Sequence, residues 1–148
     1  MPEVSAHVDV AAPARRVWDV MVDWDRHDDW MIGTRVRAFG EGRGARLLAW
    51  TGVGPVGFLD RMVVTDWDPP QRCVVEHIGW LVRGTGGFEI IALDAERAQV
   101  IWWERLAAPA LLPTWLFRLG WPLVRPVARL GLRYSLRRLA RFVERGAR

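Results

Sequence analysis

The C-terminal stretch from Pro109 places the strongest constraint on the fold, because it predicts one long helix with more apolar surface than it can bury alone. From Pro122 onward the spacing predicts a helix of about 23 residues, roughly 35 Å long at 1.5 Å per residue. Pro122 and Pro126 fall in or near its first turn, where a missing N–H costs little. Two apolar stripes follow the helix and must be covered by the rest of the chain: Leu123, Val127, Leu130 and Tyr134, then Leu132, Leu136, Leu139 and Val143.

The rest of the chain consists mostly of strand patterns. Residues 3–11 alternate apolar and polar side chains, which predicts a half-buried strand. Short helices are predicted over roughly 13–22 and from Asp23 or Asp25 to about Met31. No helix-length segment interrupts the region up to Leu106, so neighbouring strands should pair antiparallel. The strands predicted there are 34–39, 45–51, 57–67, 72–79, 82–93 and 98–106.

These elements predict an α+β fold in a single domain over residues 1–148. Its parts are a curved, seven-stranded antiparallel sheet, two short helices after the first strand, and a long C-terminal helix that the sheet grips. Ten Trp residues are present, and such large rings can build a core or line an apolar pocket. We therefore expect a cavity between the sheet and the long helix.

Missing residue types exclude several kinds of chemistry. The chain has no Lys, which excludes Schiff-base chemistry and a P-loop lysine. It has no Asn, which excludes N-linked glycosylation, and Cys73 is its lone cysteine, so no internal disulfide or thiolate cluster can form. The first ten residues lack the pattern of a signal peptide, and we expect a cytoplasmic protein.

The element order and three sequence stretches resemble a known superfamily. These stretches are residues 8–20 (VDVAAPARRVWDV), 65–72 (TDWDPPQR) and 100–104 (VIWWE). They resemble the START-like helix-grip superfamily, also called SRPBCC, and the latter two its polyketide cyclase/dehydrase branch. The resemblance covers nearly the whole chain. It implies a cavity for a hydrophobic small molecule, and it carries over no catalytic residue because the branch shares no catalytic signature.

Two motifs that suggest other ligands have simpler explanations. Residues 52–57 (GVGPVG) match GxGxxG, but a strand pattern follows where a dinucleotide site needs a helix, so we interpret them as a glycine-rich hairpin. Four aspartates, Asp23, Asp25, Asp28 and Asp29, lack the turn glycine of a calcium loop and are read as helix caps and a solvated face. We predict neither a metal nor a cofactor.

His77 and Glu104 are the candidate acid/base residues. Parity on the last strand turns Glu104 inward among Val and Trp side chains, where it either acts as an acid/base or pairs with an arginine such as Arg61. His77 lies within a strand and is either a structurally bonded histidine or an acid/base group. The sequence does not decide which face of strands 57–67 and 72–79 lines the cavity. Parity also turns Gly84 and Gly86 inward, where they would leave room for a ligand.

The first functional prediction is binding of a lipid- or polyketide-like molecule in the cavity. An alternative is a cyclase/dehydratase that uses acid/base side chains there, and a further alternative is a membrane-peripheral lipid or quinone carrier. The protein is expected to be a monomer or homodimer. The candidate ligand-binding residues are Trp50, Phe58, Asp60, Phe88, Ile90, Trp102, Trp115 and Trp121.

The basic residues favour contact with an anionic membrane over contact with a nucleic acid. All 21 are arginine, and residues 75–148 hold twelve of them against six acidic residues. No nucleic-acid recognition motif or basic–aromatic platform accompanies them, so we predict no nucleic-acid partner. Because Trp115, Leu116, Phe117 and Trp121 precede the C-terminal arginines, weak contact with an anionic membrane is expected through residues 111–125 and those arginines.

Overall fold

A computed structural model describes residues 2–146 of the chain. The observed strand bounds lie within two residues of the predicted ones. The elements are β1 Glu3–Val10, α1 Ala14–Met21, a 3₁₀ helix Trp24–Asp29, β2 Thr34–Phe39, β3 Arg46–Val53, β4 Val56–Asp68, β5 Arg72–Ile78, β6 Arg83–Asp94, β7 Arg97–Ala107 and α2 Thr114–Gly146.

The seven strands form one antiparallel sheet in the order β1-β7-β6-β5-β4-β3-β2. Successive strands from β2 to β7 are neighbours, as expected for hairpins, and β1 adds to the far side of β7. Register shifts interrupt β4 between Val64 and Asp66 and β6 between Ala92 and Asp94. Such bulges bend a strand and increase its twist, which helps the sheet curve around a helix.

The glycine-rich motif forms the β3–β4 hairpin, as predicted. Val53 pairs with Val56, so Gly54 and Pro55 alone make the turn. Gly54 has φ +58°, a conformation that glycine adopts without steric cost. A Cβ on Gly57 would collide with the Thr51 carbonyl, so the two strands approach closely here. No helix follows this motif, and the dinucleotide reading is therefore excluded.

The packed core lies where α1 and the C-terminal half of α2 cover the sheet. Helix α1 buries Val17, Trp18 and Met21 against β6 and β7. Trp18 meets Trp67 edge-on, with 5.0 Å between the ring centroids. The second predicted stripe of α2 is also buried, because its last three members are fully inaccessible to solvent: Leu136, Leu139 and Val143.

Helix α2 differs from its prediction at the N-terminal end. It begins at Thr114 rather than Pro122 and has 33 residues, which gives a length of about 50 Å. Pro122 and Pro126 therefore lie inside the helix, where each lacks the N–H that would bond the carbonyl four residues earlier. The first predicted stripe is not buried: Leu123 is 81% exposed and Val127 70%. Among residues 2–146, no helix is long and apolar enough to cross a bilayer.

Candidate functional site

A cavity of about 480 Å³ lies between the sheet and the middle of α2. Most of its walls are apolar side chains from β2 to β7, the 3₁₀ helix and α2. Phe58 lines it while remaining 39% exposed, so the cavity meets solvent near the start of β4. Its size is within the usual range for small-molecule sites. The polar residues that line it are few: His27, Thr34, Thr51, Asp60, His77, Glu104 and Ser135.

His77, Asp60 and Glu104 form a hydrogen-bonded cluster on one wall of this cavity. The Nδ1–H group of His77 donates to the Asp60 carboxylate, with 2.9 Å from Nδ1 to each of its oxygens. The Nε2–H group donates to Glu104 Oε2 at 2.8 Å, and Trp102 Nε1 donates to Glu104 Oε1 at 3.1 Å. All three cluster side chains are largely buried, with exposures of 5% for His77, 14% for Asp60 and 18% for Glu104. We call these three residues the histidine–carboxylate cluster.

Two glycines on β6 explain how this cluster can form. His77 lies opposite Gly84 and Glu104 lies opposite Gly86, so the strand between β5 and β7 has no side chain at either inward position. A Cβ on Gly86 would overlap the Glu104 carboxylate. The predicted role of Gly86 in leaving room for a ligand is therefore wrong, because Glu104 fills that space and reaches His77 across β6.

The two carboxylates determine the charge of His77. Burial acts to lower the pKa of His77, but the hydrogen bonds and negative charges of Asp60 and Glu104 outweigh it and raise the pKa to about 10. His77 is therefore an imidazolium near neutral pH, with both of its N–H groups engaged. Its two N–H groups are held by Asp60 and Glu104, and the remaining lone pairs of these carboxylates can accept hydrogen bonds from a ligand.

A second wall of the cavity is built from the 3₁₀ helix and contains a neutral histidine. The ring of His27 lies between Trp24 and Trp30, with centroid distances of 4.9 and 4.8 Å. Its Nε2–H group donates to the Met21 carbonyl at 2.7 Å. Burial lowers the pKa of His27 to about 4, although the Met21 carbonyl and the charge of Asp28 act in the opposite direction. We call Trp24, His27 and Trp30 the aromatic wall.

The aromatic wall was not predicted from the sequence, although a signal for it exists. A 3₁₀ helix has three residues per turn, so side chains at i, i+3 and i+6 share one face. Trp24, His27 and Trp30 follow that spacing. The aspartates around them suggested helix caps and a solvated face, and neither Asp23 nor another side chain caps this helix.

The structure places the predicted ligand-binding residues in three kinds of environment. Phe58, Asp60, Phe88 and Trp102 line the cavity. Ile90 belongs to the packed core. Trp50, Trp115 and Trp121 are not among the lining residues, because Leu47, Ala49 and Thr51 supply the inward face of β3, and Trp115 is 68% exposed near the start of α2. Both candidate acid/base residues, His77 and Glu104, line the cavity.

The residues that line the cavity also show which face of β5 points into it. Cys73, Val75 and His77 give β5 its cavity face. Glu104 has His77 as its ionic partner, so the alternative of a pair with Arg61 or a helix arginine is wrong. Burial, together with the charge of Asp66, raises the pKa of the Cys73 thiol to about 12, so this cysteine remains an uncharged apolar-wall residue.

The donor set of the cavity does not favour a metal ion. Within the part of the chain that the structure describes, no three His, Cys, Asp or Glu side chains are arranged to hold a metal ion. Both ring nitrogens of His77 face carboxylates rather than an open coordination site. The cluster is therefore suited to hydrogen bonding and proton transfer with an organic ligand.

No protein-family model matches the chain, and no curated protein matches its sequence. Solved structures do match its fold. The Zhui aromatase/cyclase from Streptomyces sp. R1128 has a TM-score of 0.79 at 22% identity, covering 99% of this chain and 95% of that one. A START superfamily protein from Mycobacterium smegmatis has a TM-score of 0.76 at 16% identity, covering 97% of each chain. A norcoclaurine synthase from Thalictrum flavum, with a transition-state analogue, has a TM-score of 0.71 at 14% identity, covering 99% of this chain and 96% of that one.

These neighbours confirm the predicted START-like helix-grip fold, and an aromatase/cyclase is among the proteins that share it.

Proposed function

We propose that this START-like chain binds a hydrophobic small molecule, lipid- or polyketide-like, that presents at least one hydroxyl group to the histidine–carboxylate cluster. The observation that carries the proposal is an apolar cavity of about 480 Å³ with its ionised groups collected on one wall. Apolar walls favour a hydrophobic ligand, and a few placed polar groups fix its orientation. Ligand-binding neighbours of the same fold, such as the norcoclaurine synthase with its analogue, support this assignment.

The cluster favours a hydrogen-bond donor on the ligand. Asp60 and Glu104 retain lone pairs beyond those that His77 and Trp102 occupy, and both side chains line the cavity. A ligand hydroxyl that donates to one of these carboxylates would form a charge-assisted hydrogen bond, which contributes about 1.5–3 kcal/mol. An apolar ligand of the same shape would displace water from the carboxylates without replacing its hydrogen bonds.

A matched pair of probes tests this proposal. We expect 2-naphthol to bind with at least roughly tenfold lower Kd than 2-methylnaphthalene in calorimetric titration, since about 1.4 kcal/mol corresponds to tenfold in affinity. Glu104→Gln should reduce this preference because it removes the charge of one acceptor. Glu76→Gln is the matched control, since Glu76 is exposed on the outer face of the same strand as His77. Equal affinity for the two probes, or no binding of either, would contradict the proposal.

An acid/base enzyme is the second candidate, and the pairing of an imidazolium with two carboxylates favours it. A carboxylate can remove a proton from an activated carbon of a polyketide-like substrate, and that carbon then forms a C–C bond to a ketone carbon of the same chain while the proton passes from the carboxyl group to the ketone oxygen. A second proton then passes in the same way from that carbon to the new hydroxyl group, which leaves as water as the C=C bond forms, and the His77 imidazolium stabilises the carboxylates between the transfers. In that case Glu104→Gln or His77→Gln should abolish turnover while leaving substrate affinity largely intact. Unchanged turnover in both variants would exclude this chemistry at the cluster.

A further inference from the structure

The first half of α2 carries an exposed apolar stripe that no other part of the described chain covers. Leu119 is 69% exposed, Leu123 81%, Val127 70% and Leu130 65%. Steps of three and four residues keep these side chains on one face of a helix. Exposed apolar patches of this kind mark interaction surfaces in proteins. We call Leu119, Leu123, Val127 and Leu130 the exposed stripe.

Further exposed apolar side chains lie on the β5–β6 turn, on the segment that leads into α2 and in the first turn of this helix. The backbone N–H of Ala110 donates to the carbonyl of Trp80 at 2.8 Å, which holds the β5–β6 turn beside the segment that leads into α2. Trp80 is 66% exposed, Leu111 89% and Trp115 68%. Aromatic and aliphatic side chains of this kind are typical of surfaces that enter the interface of a bilayer.

The charge of α2 is entirely positive along the same length. Residues 114–143 contain seven arginines and no acidic residue, and Glu144 is the first acid of the helix. Arg125, Arg129 and Arg133 line one shallow surface groove together with Pro126 and Leu130. Within residues 2–146, none of these three arginines forms a side-chain ion pair. We call them the arginine groove.

We propose that the first half of α2 docks on an anionic lipid bilayer, with the exposed stripe in the interfacial region and the arginine groove on lipid headgroups. A second copy of the chain fits less well. Pairing two stripes would bring two rows of arginine together, and the helix offers no acidic residue before Glu144 to neutralise them. An anionic membrane supplies that charge and attracts the arginines that lie close to its surface.

Docking in this orientation brings the cavity close to the lipid. Ala128, Gly131 and Leu132 lie on another face of the same turns and line the cavity. An α-helix with its side chains is about 10 Å across, so only the width of α2 would separate the cavity from the membrane surface. The docking itself does not depend on whether the cavity binds a ligand.

Vesicle flotation tests the proposal. The protein should float with vesicles of phosphatidylcholine and phosphatidylglycerol at low salt. It should bind at least roughly tenfold more weakly to vesicles of phosphatidylcholine alone. About 0.5 M NaCl should release it, because the electrostatic screening length is then only a few ångströms. Absence of flotation at low salt would overturn it. Cavity binding of 2-naphthol is measured separately, so failure of one proposal is distinguishable from failure of the other.

Two double variants, each with a matched control, test whether the exposed stripe and the arginine groove bind the membrane. Leu123→Glu with Val127→Glu should abolish flotation, whereas Ile91→Glu with Leu93→Glu, at exposed apolar positions on β6, should not. Arg125→Gln with Arg129→Gln should weaken flotation several-fold, and Arg35→Gln with Arg37→Gln on the exposed face of β2 serves as the charge-matched control.

Equal loss in test and control pairs would overturn the assignment. If sedimentation shows a dimer that Leu123→Glu with Val127→Glu converts to a monomer, without lipid binding by the parent protein, the stripe is a homodimer interface and the membrane proposal is wrong.

Discussion

The two walls of the cavity each contain a histidine that is almost inaccessible to solvent, with 4% of the whole residue exposed for His27 and 6% for His77. Their pKa values nevertheless move in opposite directions, to about 4 and to about 10. His27 meets a carbonyl and two indole rings, whereas His77 meets two carboxylates. The difference shows that neighbouring charges, and not burial alone, decide the charge of a histidine in this cavity.

The largest effect should come from removing the cation between the two carboxylates. His77→Leu leaves Asp60 and Glu104 facing each other in a largely apolar cavity, and loss of one member of a buried ionic cluster costs about 3–5 kcal/mol. We expect a decrease of that size in the free energy of unfolding, measured with urea at pH 7. His7→Leu, at an exposed position on β1, is the matched control and should change it by less than about 0.5 kcal/mol. Similar small losses in both variants would show that the cluster contributes little to stability.

The pH dependence of stability should separate the two walls. The folded-state pKa of His77 lies above its unfolded value near 6.5, so its contribution is complete below pH 6.5 and is lost as the pH rises toward 10. The folded-state pKa of His27 lies below 6.5, so its contribution is complete above pH 6.5 and is lost as the pH falls toward 4. Because one pKa unit corresponds to about 1.4 kcal/mol, each loss should amount to a few kcal/mol.

Single variants test which histidine causes the loss of stability at high pH (the alkaline limb) and which causes the loss at low pH (the acidic limb). Urea unfolding of His77→Leu should show a flatter alkaline limb than the parent protein, and His27→Leu a flatter acidic limb. His27→Leu should leave the alkaline limb unchanged. An alkaline limb that survives in His77→Leu would mean that other groups cause it.

A smaller effect should follow when the cluster is disturbed without changing any of its ionisable groups. Gly86→Ala places a Cβ on the Glu104 carboxylate, so Glu104 must move away from His77. We expect a loss of about 1–3 kcal/mol in the free energy of unfolding and a lower pKa of His77 in an NMR titration of its ring. Gly131→Ala also faces the cavity but meets no atom within 4 Å, and it should stabilise α2 by about 1 kcal/mol. An unchanged His77 pKa in Gly86→Ala would show that Glu104 is not needed for the shift.

Most of the fold was predictable because it depends on local patterns. Alternation and turn residues located all seven strands, and the absence of helical segments between Thr34 and Leu106 indicated antiparallel neighbours. The start of α2 was predicted wrongly because Pro122 and Pro126 are typical of a first turn, yet both lie inside the helix. The choice between the two apolar stripes was also beyond the sequence, since both have helical spacing and only the extent of the sheet determines which is covered.

The sequence predicted the orientation of some single side chains of the site, but not which of them come into contact. Parity on β7 turned Glu104 inward correctly, whereas it could not choose a face for His77 on β5. The meeting of these two residues depends on register across three strands, where His77 is opposite Gly84 and Glu104 is opposite Gly86. Register is a long-range property that strand patterns in one sequence do not contain. The role of Asp60 as second partner of His77 was missed for the same reason.

The histidine–carboxylate cluster combines one cation with two anions, so one negative charge is left uncompensated inside an apolar chamber. A free fatty acid would bring a second anion to that wall and meet electrostatic repulsion in a medium that screens it poorly. The corresponding alcohol, with the same hydrocarbon chain, would meet none. The affinity of the cavity for amphiphiles should therefore depend more strongly on the charge of the headgroup than on the length of the hydrocarbon chain.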